Sequence, residues 1–308
     1  MKLIRIGGAE SECSFPERRE RVISLGFFDG LHLGHRLLLR RAFDEANARG
    51  FESAAFTFSE EGIKPGGPRL MSFEEKLAAL GSSGVFTVFA ADFKSVRDLS
   101  PEDFVRDLLI GKCGAKVAVC GFNFRFGRDA AGDSGELCRL MRKYGGEAIV
   151  IDPVSVGDRT VSSTAIRSAL AEGNVELAAE LLGRPHSLDA PVSHGARIGR
   201  TIEFPTINQY FHPTAIIPKY GVYAVKCVIG GEEMEGVCNI GVRPTVGGED
   251  KPRCETHVFG LDREIYGEQV RVKFLRFLRA ETRFDSLDEL RAQIALDVAA
   301  AKEYFENK

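Results

Sequence analysis

Three glycines and two histidines lie close together in one short stretch near the N-terminus. Gly26, Gly30 and Gly34 allow the backbone to approach a ligand closely, and the helix predicted to begin there directs free N–H groups toward phosphate. His32 and His35 are three residues apart, so on the opening turn of a helix they could face one ligand together. Imidazolium groups at this place could offset negative charge that develops during phosphate chemistry.

The glycine spacing of this stretch differs from two widespread phosphate-binding motifs. The stretch has no Gly-Lys-Ser/Thr end of a P-loop, and its glycines do not follow the dinucleotide-binding pattern. Glycines after a strand often make only a turn, and paired histidines can simply cap a helix. Their combination at a predicted strand-to-helix junction favours a phosphate site, because ligands bind at the carboxyl edge of an open parallel sheet.

Two further polar clusters indicate a binding site less strongly than the glycine and histidine stretch does. Ser162, Ser163 and Thr164 supply hydroxyls and a helix cap, and Arg167 follows one turn later with a guanidinium suited to phosphate. Farther along lie two glycines, two arginines and two oxygen-bearing residues: Gly195, Arg197, Gly199, Arg200, Thr206 and Asn208. The last two alternate in a predicted extended segment and would point the same way, with oxygens suitable for Mg²⁺. Taken alone, each cluster is more typical of a cap, a turn or a strand start.

Length and composition limit the kinds of protein that fit. The 308 residues suggest about two domains, and the net charge of −3 gives no general reason to expect a nucleic-acid or membrane-surface partner. No apolar stretch approaches the roughly 20 residues of a membrane helix. The seven cysteines form no C-x-x-C pair and their number is odd, which favours free thiols in a reducing cytoplasm. We therefore expect a soluble, cytoplasmic protein.

The N-terminal and C-terminal parts of the chain differ in the pattern of their apolar residues. From residue 1 to 184, apolar runs alternate with helix patterns, including a capping box at Ser72 and Glu75. That alternation predicts an α/β domain, a Rossmann-like parallel sheet covered on both faces. From 185 to 308, short apolar runs separated by Gly and Pro predict a small antiparallel β-barrel. A second capping box at Ser286 and Glu289 opens a predicted closing helix with one apolar face: Leu287, Leu290, Ile294, Val298 and Phe305.

The stretch from Gly26 to His35 resembles the G-x-F-D-G-x-H-x-G-H signature of nucleotidyltransferases, in the version of prokaryotic FAD synthetases. The segment Gly121 to Gly127 resembles that family's G-x-[DN]-F-x-F-G element, and Ser162 to Arg167 its S-S-T-x-I-R element. The resemblance implies that FMN attacks the α-phosphorus of ATP, giving FAD and pyrophosphate, with His32 and His35 as catalytic residues. It implies ATP binding by Gly26, Phe28, Asp29, Gly30, His32, Gly34, His35, Ser162, Ser163, Thr164 and Arg167, and FMN binding by Asn123, Phe124 and Phe126.

The second half resembles riboflavin kinases. Residues 199 to 208 resemble G-R-x-x-G-F-P-T-x-N, with Glu203 in place of a glycine, and three later segments resemble P-x-x-G-V-Y-A, N-I-G-x-R-P-T and E-T-H. The resemblance implies that Glu255 is the catalytic base and that Thr206 and Asn208 bind the Mg²⁺ of ATP. It implies ATP binding by Gly195, Arg197, Gly199, Arg200, Thr206 and Asn208, and riboflavin binding by Tyr220, Arg243, Thr245 and Glu255.

Together the resemblances cover about residues 20 to 305 and imply a bifunctional riboflavin kinase and FMN adenylyltransferase. Its partners would be riboflavin, FMN and ATP, with Mg²⁺ as cofactor and flavins as substrates and products. We expect a monomer or weak homo-oligomer. Three alternatives remain: a kinase whose N-terminal half has become regulatory, a flavin sensor or carrier without turnover, and a nucleotidyltransferase for a pantetheine or nicotinate compound.

Overall fold

A computed structural model describes residues 1–7, 19–59, 68–194, 204–242 and 252–308 of the chain. The chain divides into two compact units, Met1–Gly67 with Met71–Ser162, and Pro68–Leu70 with Ser163–Lys308. The division falls at Ser162 and Ser163 rather than at residue 184. The predicted domain ranges of 1–184 and 185–308 stay a prediction.

The first unit is built on a six-stranded sheet whose neighbouring strands are all parallel. Its order is β1-β4-β3-β2-β5-β6, which confirms the predicted parallel sheet. The strands are β1 Lys2–Ile6, β2 Arg21–Leu25, β3 Glu52–Phe58, β4 Thr87–Ala91, β5 Ala115–Gly121 and β6 Glu147–Ile151. A two-stranded ribbon follows, β7 Ser155–Val156 and β8 Arg159–Thr160.

Apolar side chains pack on both faces of this sheet. Successive residues Val22 and Ile23 of β2 are fully buried but belong to two different hydrophobic clusters, because alternate residues of a strand point to opposite faces. The helices are α1 Leu33–Arg49, α2 Phe73–Ser82, α3 Phe93–Val96, α4 Pro101–Asp103 and α5 Ser134–Lys143. A π-helix, Phe104–Lys112, continues α4. The Ser72 and Glu75 capping box is confirmed: Ser72 Oγ accepts from Glu75 N at 3.1 Å, and Ser72 N donates to Glu75 Oε2 at 2.7 Å.

The second unit is a curled six-stranded antiparallel sheet of order β10-β13-β12-β11-β14-β9. Beyond β9, Ser193 N donates to Asn208 O of β10 at 2.7 Å, so the two edges meet at one point, as a small barrel requires. The strands are β9 His186–Pro191, β10 Ile207–Tyr210, β11 Gly221–Ile229, β12 Glu232–Val242, β13 Pro252–Val258 and β14 Gln269–Arg279. The helices are α6 Ser163–Glu172, α7 Val175–Leu182 and the predicted closing helix, α8 Leu287–Glu306.

The closing helix packs on the outer face of the sheet. Ala301 of α8 is fully buried in a cluster with Val222, Ala224 and Val237. The predicted apolar face is wrong at one position, because Leu287 is 58% exposed at the first turn of the helix. A bidentate ion pair links the helix to the end of β14. Arg279 Nε lies 2.7 Å from Asp297 Oδ1, and Arg279 Nη2 lies 2.7 Å from Asp297 Oδ2.

Candidate active sites

The predicted histidine pair lies where β2 gives way to α1. His32 is the N-cap of α1, and its Nδ1 accepts a hydrogen bond from His35 N at 3.3 Å. The two imidazole rings stack with centroids 3.6 Å apart and planes 15° apart. The structure therefore brings His32 and His35 together at the first turn of a helix, where N–H groups and the helix dipole favour a phosphate.

The glycines of this loop are required by its own geometry. Gly30 has φ of +85°, next to Leu31 at +40°, and Phe28 also has a positive φ, so the loop holds an uncommon left-handed backbone. A Cβ on Gly34 would lie 3.3 Å from the His32 ring, and one on Gly26 would lie 3.1 Å from the Phe28 ring. A side chain at either glycine would therefore require the neighbouring ring to shift by a few tenths of an ångström.

Phe28 and Asp29 are predicted ATP contacts that the structure places inside the first unit. The Phe28 ring is fully buried and approaches His35 edge-on at 5.3 Å, and Asp29 is 2% exposed. The Phe28 side chain belongs to the hydrophobic core. Any contact of Phe28 with ATP would therefore use its main chain.

Burial keeps both histidines uncharged at neutral pH. Desolvation lowers the pKa of His32 to about 4. Burial, His32 and the ammonium of Lys76 hold the pKa of His35 well below its usual value near 6.5. Both shifts favour neutral rings when no anion is bound, and imidazolium groups during phosphate chemistry stay a prediction. Within the described residues, His35 Nδ1 is a buried atom without a hydrogen-bond partner, which suits a group awaiting a ligand.

Lys76 is a charged residue of this region that sequence reasoning missed. It is 5% exposed, and its Nζ lies 3.3 Å from Phe58 O and 3.4 Å from Thr57 Oγ1. The same ammonium lies 4.7 Å from the centroid of Phe27, a favourable cation–π distance. The signal was present in the sequence, because Lys76 falls on the buried face of α2, three residues after Phe73.

The predicted FMN-binding residues follow β5 and differ in accessibility. Asn123 is exposed and Phe124 is half-buried, whereas Phe126 is 6% exposed in the core. The rings of Phe124 and Phe126 stack with their centroids 5.6 Å apart, so the buried Phe126 ring packs against the more accessible Phe124 ring. Phe122, which was not predicted as a contact, is 46% exposed and is the most accessible aromatic ring of this loop.

The Ser-Ser-Thr element is divided between the two compact units. Ser162 is the last residue of the first unit, whereas Ser163, Thr164 and Arg167 lie in α6 of the second. Arg167 Nε donates to Pro68 O at 3.1 Å within that second unit. Thus the histidine pair and Arg167 belong to different units.

Glu255 lies in the middle of a polar row on the outer face of the barrel. On β13 it is directly opposite Asn208 of β10 and Asn239 of β12, so the three side chains project from the same face. Asn208 is 6% exposed, and its Oδ1 is buried without a hydrogen-bond partner in the described residues. An oxygen left unsatisfied in this way fits a Mg²⁺ ligand.

The segment before β10 is held against the barrel by His257. His257 Nδ1 lies 2.9 Å from Pro205 O, and its ring packs edge-on against Phe204 at 5.4 Å. Thr206, the other predicted Mg²⁺ ligand, is exposed one residue later. The contacts of His257 with Pro205 and Phe204 are therefore structural.

A cavity of about 590 Å³ opens beside Glu255. It is lined by Asn239, Gly241, Val242, Arg253, Glu255, Glu281, Thr282 and Arg283. Glu281 and its neighbours were missed by sequence reasoning, because they follow β14 and reach Glu255 only through the fold. Tyr220, a predicted riboflavin contact, is 40% exposed just before β11.

Six predicted site residues lie outside the described residues: Gly195, Arg197, Gly199, Arg200, Arg243 and Thr245. Glu203, the departure from the kinase motif, lies outside them as well. Among the residues that are described, no group of three or more His, Cys, Asp or Glu could hold a metal ion.

Comparison with family models gives one match for each half of the chain. Residues 14–165 match the FAD synthetase model and residues 182–305 match the riboflavin kinase model. The order agrees with the placement of the histidine loop in the first unit and of Glu255 in the second.

Whole-length comparisons agree with these matches. The chain is 36% identical to the bifunctional riboflavin kinase/FMN adenylyltransferase of Escherichia coli K12 over 99% of this chain and 98% of that one. It is 34% identical to the protein of the same name from Bacillus subtilis over 94% of each.

A solved structure from Streptococcus pneumoniae, described as a macrolide-efflux protein, has a TM-score of 0.87 and 31% identity over 98% of this chain and 99% of that one. No helix in the described parts of this chain is long and apolar enough to cross a membrane. Both family models and the full-length bacterial relatives instead agree on flavin nucleotides. The chain belongs to the family of bifunctional riboflavin kinase/FMN adenylyltransferases.

Proposed function

We propose that this flavin-nucleotide enzyme phosphorylates riboflavin on the outer face of the barrel and adenylates FMN with the histidine loop of the first unit. The two reactions are those of its family: riboflavin and ATP give FMN and ADP, and FMN and ATP give FAD and pyrophosphate. The observation that carries the assignment of the kinase site is Glu255 directly opposite Asn208, with a cavity of about 590 Å³ beside it.

In the kinase reaction, Glu255 accepts the proton of the 5′-hydroxyl of the ribityl chain as that oxygen attacks the γ-phosphorus of ATP. A hydroxyl is a poor nucleophile until a carboxylate takes its proton. Thr206 and Asn208 would hold Mg²⁺, which neutralises charge on the ATP phosphates when bound. The buried, unpartnered Oδ1 of Asn208 supports this role. Tyr220, Arg243 and Thr245 are proposed riboflavin contacts, and Gly195, Arg197, Gly199 and Arg200 proposed ATP contacts.

In the adenylyl-transfer reaction, the FMN phosphate attacks the α-phosphorus of ATP and pyrophosphate leaves. The nucleophile is already ionised near pH 7, so catalysis depends on orientation and on hydrogen-bond donors. His32 and His35, neutral before ATP binds, donate ring N–H groups to the phosphates together with N–H groups of the α1 N-terminus. Ser162, Ser163, Thr164 and Arg167 are proposed to supply further donors to ATP.

The loop after β5 is proposed to bind the flavin. The exposed Asn123 and half-buried Phe124 are available to a ligand, and the exposed ring of Phe122 offers a stacking surface. Phe126 supports Phe124 and would touch FMN only through its main chain. We further propose that the enzyme works in the cytoplasm as a monomer or weak homo-oligomer.

Product analysis tests this assignment. The protein is incubated with riboflavin, ATP and Mg²⁺, and the flavins are resolved by chromatography over time. We expect FMN to appear first and FAD to follow. Accumulation of FMN without FAD would favour the kinase with a regulatory N-terminal half, and unchanged riboflavin would contradict both enzymatic readings.

A further inference from the structure

Arg253 forms an ion pair with Glu255, and both residues line the cavity of about 590 Å³ described above. The two residues are separated by one position on β13, so their side chains project from the same face of the sheet. Arg253 Nη2 lies 2.6 Å from Glu255 Oε1, and the side chains are 13% and 34% exposed. This partial burial distinguishes the pair from the solvent-screened ion pairs of an open surface, which contribute little.

The neighbouring strands limit where the Arg253 side chain can lie. Arg253 is opposite Gly241 of β12 and Tyr210 of β10. Gly241 has no side chain, and the space above it is occupied by Glu281: a Cβ on Gly241 would lie 1.7 Å from Glu281 Oε1. Arg253 and Glu281 both line the cavity, so the guanidinium occupies a confined position beside Glu255.

We infer that Arg253 is a positioning residue for phosphoryl transfer to riboflavin, an inference that rests on the proposed role of Glu255. By binding Oε1, the guanidinium fixes the orientation of the carboxylate and leaves Oε2 to accept the proton of the attacking hydroxyl. A carboxylate without this contact spends less time in the reactive orientation. Loss of Arg253 therefore lowers kcat for FMN formation while KM for riboflavin changes little.

Three substitutions test the inference in the full-length protein. Arg253→Met should lower kcat for FMN formation about tenfold or more, the scale of effect that misplacing a catalytic group produces. Arg253→Lys should be intermediate, because an ammonium keeps the charge but lacks the fixed fork of a guanidinium. Arg271→Met is the matched control: it removes the same charge from an arginine–carboxylate pair of the same sheet, Arg271 with Asp189, outside the cavity lining, and kcat should stay within about twofold of the parent. Circular dichroism and urea unfolding, unchanged in all three variants, verify folding of the barrel.

A double-mutant cycle separates positioning from a general loss of structure. In a Glu255→Gln background, Arg253→Met should cause no further loss of the residual rate, because no carboxylate remains to be oriented. The inference is overturned if the two losses multiply, if Arg253→Met retains the parental kcat, or if Arg271→Met is equally damaging. A parent protein that forms no FMN at all would instead overturn the proposed function.

Discussion

At the scale of single residues, burial sets the chemistry more than residue type does. The sequence presents His32 and His35 as two cations, but their surroundings remove the charge and leave two stacked neutral rings. The same reasoning applies to Asn208, an ordinary amide whose buried position without a partner gives it the character of a ligand.

Removal of the Asn208 side chain should weaken the response to Mg²⁺. We expect Asn208→Ala to raise the Mg²⁺ concentration for half-maximal FMN formation about tenfold or more, the loss expected for one contact to a charged group. Asn239→Ala is the control, since Asn239 is the amide on the other side of Glu255. Equal Mg²⁺ requirements in the two variants, measured by initial rates of FMN formation, would remove Asn208 from the proposed ligands.

His186 gives the fold a predictable sensitivity to acid. It is fully buried, its Nε2 lies 3.2 Å from Ile216 O, and desolvation lowers its pKa to about 4. Below pH 6.5 His186 binds a proton in the unfolded chain but stays neutral in the folded chain until the pH approaches 4. The free energy of unfolding therefore falls as the pH is lowered. Between pH 7 and pH 5 this group should cost about 2 kcal/mol of unfolding free energy.

Urea unfolding measured by circular dichroism at pH 7 and pH 5 tests this acid sensitivity. In His186→Gln the loss of stability between the two pH values should be smaller by about that amount, roughly 2 kcal/mol. The exposed His212, changed to Gln in the same unit, should leave the pH dependence as in the parent. If His186→Gln retained the full parental pH dependence, His186 would not be its source.

At the scale of elements, the cavity beside Glu255 depends on one glycine of β12, Gly241, which lines it. Gly241→Ala should displace the Glu281 carboxylate, because the added Cβ would lie 1.7 Å from its oxygen. The carboxylate ends a flexible side chain, so the fold should tolerate the change. We expect a higher riboflavin KM in Gly241→Ala and in Glu281→Gln.

Combining these two substitutions should cause no further increase in the riboflavin KM, since both remove the same carboxylate from the cavity. Gly135→Ala, on an exposed part of α5, is the control and should leave KM unchanged. Additive increases in KM, measured from initial rates of FMN formation, would show that Gly241 and Glu281 act separately.

Local patterns predicted most elements, and non-local contacts explain the failures. The capping box at Ser72 and the closing helix after Ser286 could be read from a few neighbouring residues. Strand β1, Lys2–Ile6, was missed because it is short and joins the sheet edge by pairing with β4, more than 80 residues away in sequence. Glu281 was missed as a site residue for the same reason, because it follows β14 and lines the cavity beside Glu255 only in the folded chain.

At the scale of the whole molecule, the residues proposed to be catalytic in the two reactions belong to separate compact units. The histidine loop lies in the first and Glu255 in the second, and each unit matches its own family model. Residue chemistry alone reached a phosphate-binding loop and a polar barrel face. Flavin specificity came from motif resemblance, because the described geometry would suit other hydroxyl-bearing substrates equally well.

The central claim is that the histidine loop and Glu255 serve separate reactions, and paired half-reactions test it most directly. Glu255→Gln and His32→Asn, the latter keeping a residue that can cap α1, are each supplied with riboflavin or with FMN, and the flavin products are separated. Glu255→Gln should form little or no FMN yet convert FMN to FAD at the parental rate, and His32→Asn should form FMN but little FAD. Loss of both reactions in either correctly folded variant would contradict the assignment of two independent sites.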